Sequence, residues 1–381
     1  MSIGSRLLAL FALLLWPPPS AMAQPVTPEL AAKVDALFSA YDRTDTPGYV
    51  VGVVTDGELV WSRAYGMADL DHGVPLSTRT PFHLASVSKQ FTGAAAALLI
   101  LDGRLSLSDP VAKWVPAAAK FGPDLRVEHL VYMTSGLPEY WDRPRPGGAP
   151  WHSFHLFDND DMLASVLGAE RLDFAPGTKW RYTNSNYLLL AKVAEAASGK
   201  PLSAFLQERV FGPLGMTTAQ VNDDPTLIVP GRATGYVERG DLLVGEGRKV
   251  DIPVRGGSGW ARLMRVSPHY GGSGVFASLD DLVRWDRNWY SEKVGRGFTA
   301  LMHRRAKFPH GKDDDAFGLV RDDRYGLESW AYSGSDLDTS TYMARFPTKR
   351  LTVICLSNMP TGEADGKCRR VLDLMHEAGR L

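Results

Sequence analysis

Apolar residues follow a strand-like pattern at both ends of this chain and a helix-like pattern through its middle. Runs rich in β-branched and aromatic residues are 48–54, 58–66, 328–332, 341–346 and 351–356. The first two runs flank a short turn at Asp56 and Gly57, which predicts a β-hairpin. Together the pattern predicts an α+β arrangement, in which one sheet is built from both chain ends and a largely helical insertion lies beside it.

Helical periodicity appears before the first of these runs, through the middle of the chain and after the last run. Residues 27–41 are amphipathic, with Thr27 as N-cap and Pro28 at the first helical position. Residues 217–270 carry few periodic signals and predict loops and short elements, and residues 313–315 predict a solvated acidic loop. Further helices are predicted over residues 128–137, 186–198, 202–210 and 367–376, and another is expected to begin at the N-cap Ser278.

The most apolar helical segment is Phe91–Leu101, which contains no charged residue and is followed by Gly103 as a stop signal. A helix that is apolar on all sides is normally buried. Ser86 and Lys89 directly precede this segment. We therefore expect them in the first turn of a core helix, three residues apart and on one face.

Ser86 and Lys89 in this position suit nucleophilic catalysis. A serine hydroxyl is a poor nucleophile unless a neighbouring base takes its proton, and burial drives a lysine toward its neutral, basic form. The N-terminus of a helix adds N–H groups that favour an oxyanion. Ser-x-x-Lys also occurs in capped surface helices, so the pattern is informative only together with the apolar helix that follows it.

Two further polar clusters lie at the boundaries of predicted elements. They are Tyr182-Thr183-Asn184 and Tyr332-Ser333-Gly334-Ser335. A tyrosine is held as phenolate only by a nearby cation such as a lysine, and an amide such as that of Asn184 orients a substrate carbonyl or amide. The Cys and His residues do not have the spacing of a zinc site, so neither a metal nor a cofactor is predicted.

Composition places the chain among globular enzymes. Its 381 residues are 44% hydrophobic and 22% charged, and its formal net charge is −1. A chain so close to neutral has no electrostatic basis for binding nucleic acid, and we expect a small-molecule or peptide substrate instead. The sequence leaves the oligomeric state open.

Residues 1–23 are typical of a secretory signal peptide. Arg6 precedes a short apolar run, and Ala21-Met22-Ala23 provides small residues for cleavage before Gln24. The apolar run is about ten residues long, against about 20 needed to span a bilayer as a helix. We therefore expect a secreted or periplasmic protein whose mature part, residues 24–381, has no transmembrane segment. The alternative is that residues 1–23 remain attached as an uncleaved anchor.

The two cysteines, Cys355 and Cys368, permit two interpretations. Cys355 lies in a predicted core strand and Cys368 in the predicted helical tail. In an oxidising compartment they could form a disulfide. A buried, inert thiol together with an exposed one explains the sequence equally well.

The motifs of this chain, in their order, resemble those of the serine β-lactamase and penicillin-binding-protein hydrolases, closest to the branch of class C β-lactamases, D-Ala-D-Ala carboxypeptidases and esterases. The resemblance covers nearly all of residues 24–381. It rests on residues 82–89, 134–137, 174–178, 182–184, 186–189 and 213–216 and on the glycine-rich segment before Asp281. It implies a β-lactamase/transpeptidase-like fold with an antiparallel sheet, the sheet part being residues 24–85 and 320–381 and the helical part residues 86–319.

Carried over by position, the resemblance implies Ser86 as the acylated nucleophile, Lys89 as its hydrogen-bonded partner and Tyr182 as general base and acid. Asn184 would bind a substrate amide. The backbone N–H groups of Ser86 and Ser335 would form an oxyanion hole, in which one donor is typically worth about 3–4 kcal/mol.

The third motif departs from the family pattern, which usually begins with Lys or His where this chain has Tyr332. A cation there helps to bind a substrate carboxylate, and Asp336 and Asp338 follow here instead. A nearby arginine, Arg345 for example, is considered as a replacement cation. The substitution favours a neutral or amine-bearing ester or amide over a penicillin or a peptide C-terminus.

The leading hypothesis is a secreted serine hydrolase that forms an acyl-enzyme on Ser86. Its expected activity is that of an esterase or a D-amino-acid peptidase or amidase, with weak turnover of β-lactams. The alternative is a penicillin-sensing or substrate-binding protein that is acylated without turnover, or an inactive scaffold. The missing cation at Tyr332 motivates that alternative.

Overall fold

The computed structural model describes residues 26–145, 148, 156–239, 243–244, 248–249, 259–263, 267–310, 314–360 and 363–381. The predicted signal peptide, residues 1–23, lies outside these ranges. No helix in the described ranges combines the length and the apolar character needed to cross a membrane.

The strands lie mainly at the two ends of the chain. They are β1 Tyr49–Thr55, β2 Glu58–Tyr65, β3 Met67–Asp69, β4 Val74–Pro75, β5 Phe82–His83, β6 Gln220–Val221, β7 Tyr236–Glu238, β8 Leu243–Val244, β9 Arg248–Lys249, β10 Trp260–Arg262, β11 Val275–Ala277, β12 Val320–Arg324, β13 Leu327–Asp336, β14 Thr339–Phe346 and β15 Leu351–Ser357. The main sheet, within the described ranges, has the order β12-β13-β14-β15-β1-β2 with antiparallel neighbours throughout. This confirms the predicted sheet assembled from both chain ends.

The helices fill the middle of the chain and flank the sheet. They are α1 Pro28–Phe38, α2 Lys89–Leu101, α3 Val111–Trp114, α4 Val127–Val131, α5 Asn159–Leu167, α6 Asn184–Ser198, α7 Leu202–Leu206, α8 Gly212–Leu214, α9 Leu279–Ser291, α10 Phe298–Met302 and α11 Glu363–Glu377. Thr27 caps α1 and Ser278 caps α9 through their side chains, as predicted. Gly199 ends α6 in the left-handed conformation, also as predicted.

The two faces of the main sheet pack against different layers. Along β14, Tyr342 and Ala344 face a core formed with α1 and α11, whereas Met343 faces the larger core of the helical part. In that larger core, every side chain of α2 from Lys89 to Leu99 is buried. The apolar composition of residues 91–101 therefore predicted correctly a helix in the centre of the protein.

Some predicted boundaries differ from the structure. The helix predicted over residues 128–137 is shorter, because α4 ends at Val131 and Met133 adopts a positive φ of 57° that is incompatible with a continuing helix. The helix predicted over residues 202–210 is α7 followed by a π-helical turn, Gln207–Phe211. Strand β12 was missed because its sequence, Val-Arg-Asp-Asp-Arg, is that of a charged edge strand.

The acidic loop predicted over residues 313–315 is only partly solvated. Asp315 is 6% exposed, forms a β-bridge with Val320 and accepts a hydrogen bond from Trp180 Nε1. Asp313 lies outside the described residues. The prediction was wrong for Asp315, because an indole donor contributed from a distant segment satisfies the carboxylate in the interior.

Both cysteines are free thiols and both are fully buried, on β15 and α11. Burial and the neighbouring Cys355 raise the pKa of the Cys368 thiol. The interpretation in which one thiol is exposed was therefore wrong, and the two side chains are neighbours in the core beneath the sheet.

Candidate active site

Ser86 lies in a 3₁₀ turn, Ala85–Ser88, that runs directly into α2. It therefore precedes the α-helix rather than lying in its first turn, which corrects the expected placement by one turn. Ala85 has a positive φ of 46°, a conformation that is unfavourable for a residue with a Cβ atom. The neighbouring Ser88 Oγ accepts a hydrogen bond from Val275 N, so β11 helps to hold this turn in place.

Lys89 is fully buried, and its ammonium group is surrounded by oxygen atoms. Nζ lies 3.1 Å from Ser86 Oγ, 2.7 Å from Tyr182 OH, 2.9 Å from Asn184 Oδ1 and 2.7 Å from the carbonyl oxygen of Gly272. An ammonium group has three N–H donors, so these four acceptors compete for them. A small shift in the side chain therefore suffices to exchange one partner for another.

Tyr182 and Asn184 come from the segment that begins α6. Thr183 caps the helix through its hydroxyl, which places Asn184 in the first turn, and leaves the Tyr182 side chain 38% exposed at the cavity surface. Tyr182 OH lies 2.8 Å from Ser86 Oγ and 3.1 Å from Asn184 Oδ1. The structure thus brings Ser86, Lys89, Tyr182 and Asn184 into one hydrogen-bonded group.

Glu139 is a member of the site that the sequence interpretation missed. Its Oε2 accepts hydrogen bonds from Asn184 N at 2.7 Å, Asn184 Nδ2 at 3.3 Å and Thr183 Oγ1 at 3.2 Å. Burial raises the pKa of the Glu139 carboxyl. These hydrogen-bond donors and the charge of Lys89 lower the same pKa and so offset part of that increase. Its position just after the motif at residues 134–137 was the signal available in the sequence.

The third motif lies on β13, alongside Ser86. Gly334 packs so closely that a Cβ there would lie 2.5 Å from Leu84 O and 2.8 Å from Ser86 N, so only glycine fits. Ser333 and Ser335 line the cavity in front of Ser86. Tyr332 is 8% exposed, and burial raises the pKa of its phenol well above the usual value, so it is a neutral hydrogen-bonding group.

Arg345 does not replace the missing cation. It lies on β14 opposite Trp330, is 2% exposed, and donates to His303 Nε2 at 2.7 Å. Its guanidinium group also lies 3.8 Å from the centre of the Trp289 ring. Arg345 was therefore the wrong arginine to consider, because its side chain is enclosed in the core and lines neither cavity beside Ser86.

Two cavities meet at Ser86. The larger, of about 640 Å³, extends along β12 and β13 and contains the carboxylates of Asp314 and Asp322 together with two arginines, Arg321 and Arg369. The smaller, of about 90 Å³, lies on the Asn184 side. Its described lining residues are Ser86, Tyr140, Trp141, Asn184, His269, Ser273, Ser335 and Asp336. Ser86 is thus accessible from two sides with different chemistry.

Comparison with known proteins supports the fold and the family. The chain is 29% identical over 334 residues to a D-aminopeptidase of Cereibacter sphaeroides, with 85% of this chain and 60% of that protein aligned. It is 33% identical over 278 residues to the esterase EstB of Burkholderia gladioli, covering 67% of this chain and 69% of EstB. The chain therefore spans about 60% of the length of the D-aminopeptidase it matches.

Solved structures agree with these sequence relatives. The D-amino acid amidase of Ochrobactrum anthropi SV3 in complex with D-phenylalanine superimposes with a TM-score of 0.72 at 19% identity, over 92% of this chain and 99% of that one. The predicted fold class is confirmed. A family model described as Beta-lactamase matches residues 34–376, and the chain accordingly belongs to the β-lactamase family of enzymes, as predicted.

Proposed function

We propose that this protein is a serine hydrolase that cleaves esters or amides through an acyl-enzyme on Ser86. The supporting observation is the triangle formed by Ser86 Oγ, Lys89 Nζ and Tyr182 OH, with sides of 3.1, 2.7 and 2.8 Å. A nucleophile within hydrogen-bonding reach of two groups able to accept or relay its proton is the arrangement that acyl transfer requires.

In the acylation step, Tyr182 acts as a phenolate, stabilised by the hydrogen bond that Lys89 Nζ donates to its oxygen. Ser86 Oγ attacks the substrate carbonyl carbon and passes its proton to this phenolate oxygen, 2.8 Å away. The carbonyl oxygen becomes an oxyanion, stabilised by the N–H groups predicted from Ser86 and Ser335. The bond to the leaving alcohol or amine then breaks, and Tyr182 returns the proton to it. Water repeats the sequence and releases the acid, restoring the Ser86 hydroxyl.

Tyr182 takes part only if its oxygen is held correctly. Lys89 Nζ donates to it, and Asn184 Oδ1 lies 3.1 Å away, where it accepts a hydrogen bond whenever Tyr182 carries a proton. Glu139 in turn fixes Asn184 through its backbone and side-chain amides. Glu139 therefore has a positioning role: it contacts Asn184, which in turn contacts Tyr182.

The substrate class follows from the charges around Ser86. Tyr332 supplies no cation where the family usually has one, and the described lining of the smaller cavity contains Asp336 but neither Lys nor Arg. The larger cavity contains two arginines, but both are paired with carboxylates: Arg321 with Asp323 and Glu328, and Arg369 with Asp365. A carboxylate-bearing substrate is therefore disfavoured. We propose a neutral ester, or an amide that carries an amino group, in agreement with relatives named as a D-aminopeptidase and an esterase.

The test is a substrate panel measured with wild-type protein, Ser86→Ala and Tyr182→Phe. We expect turnover of p-nitrophenyl esters and of D-amino-acid p-nitroanilides, and only weak turnover of nitrocefin. Ser86→Ala should abolish hydrolysis, and Tyr182→Phe should lower kcat/KM by about 10²–10⁴-fold because it removes a general acid–base group. Full activity of Ser86→Ala would refute the proposal.

A second candidate is a protein that is acylated but not deacylated, and Tyr332 is the observation that favours it. Intact-mass measurements after addition of a fluorophosphonate or a lactam separate the two. Rapid loss of a lactam adduct supports the hydrolase, and a lasting adduct on Ser86 supports the sensor. Absence of any adduct indicates a scaffold without activity.

Export is part of the same proposal and rests on the sequence of residues 1–23. Expression of the full chain in a bacterium, followed by fractionation and N-terminal sequencing, tests it. We expect the protein outside the cytoplasm and beginning at Gln24. Retention of Met1 on cytoplasmic protein would contradict it.

A further inference from the structure

A group of metal-ligating side chains lies beside Ser86 and is not used by the proposed reaction. Within the described residues, His83, His269 and Asp336 each place one ligand atom within 4.8 Å of the ligand atoms of the other two. The His269 side chain is 3% exposed and that of Asp336 is 12% exposed. These residues come from three distant segments, so sequence spacing gave no indication of the group.

His83 is already arranged as metal-binding histidines usually are. Its Nδ1 lies 2.9 Å from the Asp338 carboxylate, which can only accept when ionised, so Nδ1 carries the proton. Gly274 N–H donates to Nε2 at 3.4 Å, which requires a lone pair there. A carboxylate that fixes the tautomer, so that the other nitrogen keeps its lone pair, is the second layer of contacts typical of zinc histidines. An ion at Nε2 would replace the hydrogen bond that Gly274 N–H donates there.

His269 and Asp336 supply the other two ligand atoms, each within 4.8 Å of the ligand atom of His83. His269 Nε2 lies 3.4 Å from Asp336 Oδ2, close to the separation of two ligands bound to one tetrahedral ion about 2 Å away from each. Ser273 Oγ lies 2.9 Å from His83 Nε2. A bound ion would replace this hydroxyl as the partner of that nitrogen. Two imidazoles and one carboxylate favour Zn²⁺ over Mg²⁺ or Ca²⁺, which prefer oxygen ligands.

We propose that His83, His269 and Asp336 form a binding site for a divalent transition-metal ion, best matched by Zn²⁺, and that the bound ion blocks the smaller cavity beside Ser86. His269, Ser273 and Asp336 line that cavity together with Asn184. An ion there occupies the space of the substrate and neutralises Asp336. The blocking role rests on the proposed hydrolase function, whereas ion binding does not.

Binding is tested with full-length protein freed of metal by EDTA and titrated with ZnCl₂ by calorimetry. We expect one Zn²⁺ per chain. The affinity should fall more than about tenfold in His269→Asn and in Asp336→Asn, which corresponds to a loss of about 1.4 kcal/mol or more of binding free energy in each variant. Asp338→Asn should lower it by about 10–100-fold through loss of the orienting contact. His72→Ala is the matched control, because His72 pairs with Asp69 at 3.1 Å on the surface, and it should bind as wild type.

Co²⁺ reports on the same site independently of catalysis. Co²⁺ should give the intense visible absorption of a four-coordinate site in wild type and in Ser86→Ala, but not in His269→Asn, whose folding is checked by its melting temperature. Failure of wild type to take up Zn²⁺, or equal affinity in wild type and His269→Asn, would overturn the site.

Inhibition is measured separately, on whichever ester or amide is hydrolysed. ZnCl₂ should inhibit wild type reversibly, with recovery on EDTA addition, and should not inhibit His269→Asn. Stoichiometric binding without inhibition would overturn the blocking role. Because Ser86→Ala reports binding without catalysis, failure of the hydrolase proposal and failure of the metal site give different results.

Discussion

Two buried cations lie on the same side of the main sheet, and their surroundings differ. Lys89 is surrounded by oxygen atoms of Ser86, Tyr182, Asn184 and Gly272, and its neighbour Ser86 opens onto two cavities. Arg345 is enclosed by aromatic rings, a histidine and the nearby carboxylate of Asp286. Burial of a charge by itself therefore does not identify a reactive site.

The consequences for each cation follow from these surroundings. Removal of Lys89 takes away a donor to Ser86, the proposed nucleophile, and to Tyr182, so hydrolysis should be impaired. Removal of Arg345 takes away the cation that most favours the charged form of the buried Asp286 carboxyl and leaves only Thr352 and Arg350 to do so, so the fold should suffer instead. Burial raises the pKa of Asp286 to about 6 even with Arg345 present.

The largest expected effect is that of Lys89→Met on catalysis. We expect kcat/KM to fall by about 10³–10⁴-fold, because Tyr182 loses the donor that supports its phenolate form. The unfolding free energy should change by less than about 2 kcal/mol, because an apolar side chain of similar size ends the cost of burying a charge. Steady-state kinetics on the best ester and urea unfolding measure the two quantities.

Lys192→Met is the matched control for that variant. Lys192 is a partly buried lysine on α6 that pairs with Asp160 and Glu195 and does not contact Ser86. Its removal should affect kcat/KM far less. Retention of more than a tenth of wild-type activity by Lys89→Met would show that the serine is activated in another way.

Arg345→Met should have the opposite profile. The unfolding free energy should fall by up to about 3–5 kcal/mol, the cost of breaking a buried ion pair, because Arg345 and Asp286 are buried opposite charges that interact over a longer distance. Activity per folded molecule should be unchanged. The double variant Arg345→Met with Asp286→Asn should recover part of the lost stability. A fall in kcat/KM at unchanged stability would instead show that Arg345 contributes to substrate binding.

The pH dependence of stability sharpens the comparison, because it reports on the Arg345 cluster and not on Lys89. Burial, reinforced by Arg345, lowers the pKa of His303 to about 3 from a usual value of about 6.5. The unfolded chain then binds more protons than the folded one between these values, so stability rises with pH across this window. Stability contributed by neutral His303 is thus lost as pH falls from about 6.5 toward 3.

His303→Gln isolates this contribution. Urea unfolding measures the free energy of unfolding at pH 7 and at pH 4. The decrease in this free energy from pH 7 to pH 4 should be a few kcal/mol smaller in the variant than in wild type, since each unit of pKa shift corresponds to about 1.4 kcal/mol. Asp286 acts in the opposite sense, because its raised pKa favours the folded state at low pH. Identical pH profiles in variant and wild type would show that His303 is not held neutral.

The smallest effect concerns Tyr332, where the family resemblance places a cation and this chain has none. Tyr332→His should raise kcat/KM for a carboxylate-bearing lactam by about tenfold relative to a neutral ester, equivalent to about 1.4 kcal/mol. Tyr332→Phe, which adds no charge, serves as control and should leave that ratio unchanged. An unaltered ratio in Tyr332→His would mean that charge at this position does not select the substrate.

Features encoded in neighbouring residues were predicted well. Thr27 and Ser278 were identified as helix caps, and the hairpin around Asp56 was found from two strand-like runs. Ser86 and Lys89 are so close in sequence that the start of a buried helix brings them together whatever the rest of the fold does. Tyr182 and Asn184 were identified only through the family resemblance, because no local rule links them to Ser86.

Tertiary structure alone decided the partners of the isolated polar residues. Asp315 was predicted to be solvated and Glu139 was missed, because each becomes an interior group only through a donor from a distant segment, Trp180 for Asp315 and Asn184 for Glu139. Arg345 resembled a candidate ligand for substrate until the register of β14 placed it against Trp330 in the core. Periodicity and caps depend on contacts within a few residues, whereas the polarity of a buried site depends on which distant donors and acceptors the folded chain brings together.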